Sequence, residues 1–149
     1  MGVCAYLTKP IRQSHLRESL SKILAGAVLS GTVTSSLYSF GSSAQNLENL
    51  KILLVEDNKV NQIVALRILE RIGCHADSAD SGQSALDSVK KQAYDIILMD
   101  VQMPEMDGLE TTRRVRAMEG CCRQPWIIAL TANAMLEDRT ECLNAGMND

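Results

Sequence analysis

Three short, unbroken apolar runs fix most of what this chain can become: Ile52-Leu53-Leu54-Val55, Ile96-Ile97-Leu98-Met99 (opened by Asp95) and Trp126-Ile127-Ile128-Ala129-Leu130. None alternates polar with apolar, so each reads as a strand buried on both faces, as in a parallel sheet sandwiched by helices. Helical periodicity fills the gaps between them. Asn58 can cap the first of these helices, whose recurring apolar positions include Ile63, Leu66 and Ile72. A weaker strand over 75–79 leads to a helix over 81–92 carrying Ala85, Leu86 and Val89. A third helix is predicted over 109–118 and a fourth over 136–144, the last closed by Gly146. Repeated βα units of this kind impose right-handed crossovers on an α/β fold.

The front of the chain differs. Ala5-Tyr6-Leu7 is a strand candidate, and from Ser14, a good N-cap, Leu16, Leu20, Ile23 and Leu24 recur on one helical face. Residues 25–49 are rich in Ser, Gly and other small residues and read as a linker. The division predicted is therefore 1–24 as one strand and helix, 25–49 as linker, and 50–149 as four βα pairs. Together these make five pairs, enough for a small doubly wound sheet if the front piece packs beyond the back piece.

Composition narrows the class of partner. A net charge of −3 gives no footprint for nucleic acid or an anionic membrane. The apolar stretch over 23–33 contains Ser and Gly and is too short to span a bilayer. Five cysteines (Cys4, Cys74, Cys121, Cys122, Cys142) form an odd set without a C-x-x-C spacing, which favours reduced thiols in a cytoplasmic protein. His15 and His75 belong to no ligand cluster and read as surface residues. Met99, Met103 and Met106 read as packing rather than a soft-metal site. Arg113, Arg114 and Arg116 read as a solvated helix face, and Trp126 as packing at the domain edge.

Chemistry is concentrated where the strands end. Open parallel sheets place their ligand sites at the carboxyl ends of the strands. Glu56 and Asp57 follow the first strong run and Asp100 the second, while Thr131 ends the third. Three carboxylates gathered on one rim need a cation, and hard oxygen donors suit Mg²⁺. Met103-Pro104 and Asp107-Gly108 shape a tight loop beyond Asp100. A nucleotide-binding fold is disfavoured because no Gly-rich loop follows a strand.

The segments Leu54-Val55-Glu56-Asp57-Asn58, Met99-Asp100-Val101-Gln102-Met103-Pro104-Glu105-Met106-Asp107-Gly108 and Ala129-Leu130-Thr131-Ala132 closely resemble the receiver domain of two-component signalling. Glu56-Asp57-Asn58-Lys59-Val60-Asn61 resembles in particular receivers attached to hybrid sensor histidine kinases. Separations of 43 residues from Asp57 to Asp100 and 31 from Asp100 to Thr131 fit that pattern. The resemblance implies a flavodoxin-like, five-stranded parallel sheet of order 2-1-3-4-5. It implies that Asp100 is the phosphoacceptor, forming an acyl phosphate by attack on a phosphohistidine. Asp57, Asp100 and the backbone carbonyl of Gln102 would bind Mg²⁺ directly, with Glu56 acting mainly through water. Thr131 would turn its hydroxyl to the phosphoryl group and act as a switch together with the aromatic Tyr6. Gln102 and Asn133 match positions that tune the phosphate's lifetime. The implied partner is a histidine kinase or histidine phosphotransfer domain, with no nucleic acid.

One element of the resemblance is displaced. Thr8-Lys9-Pro10 stands at the front, although the family places such a Lys-Pro last, in a cis-type turn. Superimposing Gly2 on Gly146 makes Tyr6 the successor of Asp149 and puts Lys9 at the spacing from Thr131 that the family leads one to expect. Lys9 should then stand beside Asp100 and pair with the phosphate. The last strand and helix come from the N-terminal segment, either folded back in a monomer or exchanged in a domain-swapped dimer. We read the chain as the tail of one receiver, a linker and most of a second, in preference to a designed permutation. The function expected is Mg²⁺-dependent phosphoacceptance with switched partner binding. The competitors are an interaction module that is never phosphorylated and an aspartyl phosphohydrolase, the latter disfavoured because Gln102 stands where a second acid is wanted.

Overall fold

The computed structural model describes residues 7–29, 49–118, 124–132 and 136–148. Five strands form one parallel sheet: β1 (Leu7–Thr8), β2 (Ile52–Val55), β3 (Ala76–Ala79), β4 (Ile96–Asp100) and β5 (Trp126–Thr131). Their order across the sheet is β1-β5-β4-β2-β3. Counting β1 as the last strand, this is the 2-1-3-4-5 order expected. The registers Leu7↔Leu130 and Thr8↔Thr131 set the front segment on the outer edge of β5. The predicted linker falls largely on residues 30–48, outside the described residues.

Among the described residues five helices cover the sheet: α1 (Gln13–Leu29), α2 (Lys59–Arg71), α3 (Gly82–Lys91), α4 (Gly108–Ala117) and α5 (Leu136–Asn144). The starts of α2, α3 and α4 are set by short polar side chains that satisfy otherwise unpaired first-turn N–H groups. The Asn58 side chain accepts from Val60 N and Asn61 N, Ser81 accepts from Ser84 N, and Asp107 accepts from Glu110 N at 2.7 Å. Gly146 ends the α5 region at φ +101°, a left-handed conformation that an L side chain resists.

Two cores flank the sheet. On one face Leu16, Leu20 and Ile23 of α1 join Ala65 and Leu69 of α2 over Leu7, Ile52, Leu54, Ile96, Leu98, Ile128 and Leu130. On the other, Ala85, Leu86, Val89, Val115, Cys142 and Met147 pack on Leu53, Val55, Ile97, Met99, Ile127 and Ala129. Alternate residues of each buried strand thus feed opposite cores, as a pleated strand requires.

Three local expectations need correction. Ser14 lies inside α1 rather than capping it, and α1 continues to Leu29, five residues into the predicted linker. Ile63 is 53% exposed; the α2 face that meets the sheet is carried by Gln62, Ala65 and Leu69. Arg116 is not on a solvated face: its guanidinium donates to Gly146 O, Pro125 O and Asn148 Oδ1, tying the end of α4 to the start of β5 and to the segment after α5. Arg113 and Arg114 are exposed as expected, as are His15 and His75.

Candidate functional site

The β2, β4, β5 and β1 strands deliver their next residues to one rim. Glu56 and Asp57 follow β2, Asp100 ends β4, Thr131 ends β5, and Lys9 follows β1 with its backbone N–H donating to Thr131 O at 2.9 Å. Glu56, Asp57 and Asp100 offer carboxylate oxygens that all lie within 4.8 Å of one another. Among the described residues this is the cluster able to hold a metal ion. Its donors are all oxygen, carry formal charge and reach solvent at Asp57, which fits a hard divalent cation such as Mg²⁺.

Lys9 reaches the centre of this cluster within the same chain. Its Nζ lies 2.7 Å from Asp100 Oδ2 and 2.8 Å from Glu56 Oε2. The other oxygen of Asp100 accepts the backbone N–H of Gln102 at 3.0 Å. Burial by itself lowers the Lys9 pKa, but the hydrogen bonds and charges of Asp100 and Glu56 outweigh it and raise the ammonium above its ordinary value. Asp100, 1% exposed, is likewise raised: burial is the largest cause and the Glu56 charge adds to it, while Lys9 pulls the other way. The Lys9-Pro10 peptide bond is cis.

The loop after Asp100 is built tightly around it. Gly108 N donates to Val101 O, and a side chain at Gly108 would put its Cβ 2.1 Å from the Asp100 carbonyl oxygen. Only glycine permits that approach. Glu105 sits at φ +67° where Met106 N donates back to Pro104 O, a three-residue turn that swings the chain into α4.

The structure therefore brings together Lys9, Glu56, Asp57 and Asp100, with Thr131 on the adjoining strand end and Gln102 beside Asp100. Tyr6 and Asn133 lie outside the described residues. Two residues with a part in the site escaped assignment in the sequence. Asn61 donates its Nδ2 to Glu56 Oε1 at 3.1 Å, and the buried Gln62 amide spans Glu56 O and Ala79 O, each at 3.4 Å. Their position in the first turn of α2, one turn from the acids, was the available signal.

A five-stranded parallel sheet of this order, with acids gathered at its carboxyl rim and a lysine from the edge strand among them, defines a flavodoxin-like domain of the receiver type. The profile of the response regulator receiver domain matches residues 52–149, and the chain belongs to that family. It is 40% identical over 144 residues to Probable histidine kinase 1 of Oryza sativa subsp. indica, covering 76% of this chain and 15% of that protein. It is 47% identical over 109 residues to Hybrid signal transduction histidine kinase B of Dictyostelium discoideum, covering 66% of this chain and 6% of that protein. The chain thus spans a small fraction of the length of these relatives. Among solved structures it is similar to the receiver domain of sensor histidine kinase PA1611 from Pseudomonas aeruginosa PAO1, which holds a magnesium ion in its active-site cleft. That domain is 49% identical at a TM-score of 0.60, with 67% of this chain and 81% of that chain covered.

Proposed function

We propose that this chain is a phosphoacceptor module of a hybrid or multi-receiver histidine kinase system, with Asp100 as the acceptor. One Asp100 oxygen attacks the phosphorus of a phosphohistidine; the P–N bond breaks, its electron pair stays on the imidazole nitrogen, and an acyl phosphate forms on the carboxylate. Glu56, Asp57, Asp100 and the Gln102 carbonyl are the groups that would hold Mg²⁺, which when bound neutralises charge between the carboxylate and the incoming phosphoryl group. Lys9 pairs with the transferred phosphate, and the Thr131 hydroxyl turns toward it. Tyr6, three residues before Lys9, completes the switch with Thr131. The contact that carries this reading is Lys9 Nζ at 2.7 Å from Asp100 Oδ2. A lysine from the displaced front segment sits on the very carboxylate that the reaction needs neutralised.

The partner is a protein bearing the phosphorylated histidine, from a kinase or a phosphotransfer domain. Val60, Ile63 and Val64 support it: they are 69%, 53% and 45% exposed and share one face of α2 at i, i+3 and i+4, just beyond the acids. An apolar stripe flanking a nearly closed carboxylate suits a docking helix that delivers its histidine over the rim. Residues 1–24 would be the end of a preceding receiver and 50–149 the body of a second. No helix among the described residues is long and apolar enough to cross a membrane, and we assign the module to the cytoplasm, its parent kinase carrying any anchor.

The test is Mg²⁺-dependent incorporation of phosphate from a small phosphodonor into the full chain. Incorporation abolished by Asp100→Asn and strongly reduced by Lys9→Met supports the reading. No incorporation sinks it and leaves an interaction module that works unphosphorylated.

A further inference from the structure

Glu56 is 1% exposed, so both of its carboxylate oxygens must find donors inside the protein. Oε2 faces the site and meets Lys9 Nζ at 2.8 Å. Oε1 faces away, toward the first turn of α2, where it accepts from Asn61 Nδ2 at 3.1 Å and from Asn58 N at a longer 3.3 Å. The Asn58 side chain is already committed to capping α2 through Val60 N and Asn61 N. The carboxamide of Asn61 is therefore the side-chain donor that fixes which way the Glu56 carboxylate points.

We infer that Asn61 is a positioning residue: by holding Glu56 Oε1 it keeps Oε2 aimed into the cation pocket and so sets how Glu56 and Asp100 share Lys9 and a divalent metal. This rests on the Mg²⁺-dependent phosphoacceptor reading of the same site. The physical reason lies in the competition around Lys9. Its ammonium is bonded at once to Asp100 and to Glu56, at 2.7 and 2.8 Å. Without Asn61, Oε1 keeps one long backbone contact, and a buried carboxylate so undersupplied turns toward the nearest cation. Glu56 then engages Lys9 more fully, draws it from Asp100 and presents a poorer oxygen to the metal. Asn61 is itself exposed, so replacing it opens no cavity, and the positioning effect separates from folding.

The full chain is titrated with MgCl₂ by calorimetry as wild type, Asn61→Leu (similar size, no donor) and Asn61→Gln (donor kept). Loss of an outer-shell hydrogen bond of this kind weakens metal binding by about tenfold. Asn61→Leu should show that loss while still folding cooperatively and staying folded at the titration temperature, and Asn61→Gln should recover most of it. Unchanged Mg²⁺ affinity in Asn61→Leu would overturn the inference. A metal-free arm compares the Glu56 carboxyl ¹³C and Lys9 Nζ ¹⁵N resonances of wild type and Asn61→Leu; both should move, and coincident signals overturn the inference as well. A wild type that binds no Mg²⁺ would overturn the phosphoacceptor reading, while the metal-free resonances would still decide the role of Asn61.

Discussion

The two faces of the sheet are built on different principles. The face under α3, α4 and Met147 takes all its described packing from residues 53–147, in chain order. The opposite face takes Leu7, Leu16, Leu20 and Ile23 from the front segment, whose strand β1 pairs with the distant β5, Leu7 lying against Leu130. One core is closed by local succession and the other by return of a distant piece. The site spans the difference: Glu56 and Asp100 come from the central strands, and Lys9 rides on the returning piece. The geometry of this rim and the integrity of one core are therefore a single property here, because whatever undocks α1 also withdraws the ammonium.

The largest effect should come from truncating that returning core. Leu20 is fully buried, and Leu20→Ala should cost about 2–5 kcal/mol in denaturant unfolding. The chain carries a reporter on each face, since Cys74 lies in the α1–α2 core and Cys142 in the other, both buried. Leu20→Ala should speed alkylation of Cys74 well before that of Cys142; equal rates would show that the faces open together. Gly108→Ala attacks the locally built face, where its Cβ meets the backbone of Asp100, and overpacking of this kind costs about 1–3 kcal/mol. It should displace Asp100 while leaving Cys74 protected, a pattern read by the same labelling.

Smaller effects follow from charge. Because the folded-state pKa of Asp100 is raised by burial and by Glu56, its contribution favours the fold below the unfolded carboxyl value of 3.8 and is lost as pH rises through the folded value. Asp100→Asn should therefore raise the melting temperature by a few degrees at neutral pH, with the gap closing as pH falls toward 4. Lys9 works in the opposite range: its raised pKa contributes stability that is fully present below 10.5 and lost at higher pH, so Lys9→Met should flatten the alkaline limb of the profile. The smallest effect is in the intact protein. The Cys74 thiol, pushed up to about 11 by burial, should stay unreactive to iodoacetamide at neutral pH until the face above it opens.

Much of this was legible in the sequence because it rests on signals that are local or countable. Ile52–Val55 and Ile96–Met99 are unbroken apolar runs, and such runs have few places to go but the middle of a sheet. The position of Lys9 beside Asp100 followed from counting residues against a family pattern, and the same count gave the strand on which it arrives. Polar side chains with remote partners were not legible. Arg116 reads as one more surface arginine until Gly146 O, Pro125 O and Asn148 Oδ1 converge on it from segments up to 32 residues away. Asn61 looks like an ordinary helix residue until the helix start is folded over Glu56. Ile63 misled in the other direction: apolar character predicts burial, whereas here it stands in solvent beside the acids.

The outer edge of β5 is filled from both ends of the chain. Asn148 N donates to Ile127 O, and Asn148 Oδ1 accepts from Ile127 N, at one end; Leu7 and Thr8 pair with Leu130 and Thr131 at the other. The fold is in this sense a ring fastened without a covalent bond. Cutting the chain between 29 and 49 would convert a folding contact into a bimolecular association. The delivery of Lys9 to Asp100 would then be governed by a dissociation constant and by dilution, where the uncut chain makes the contact within one molecule.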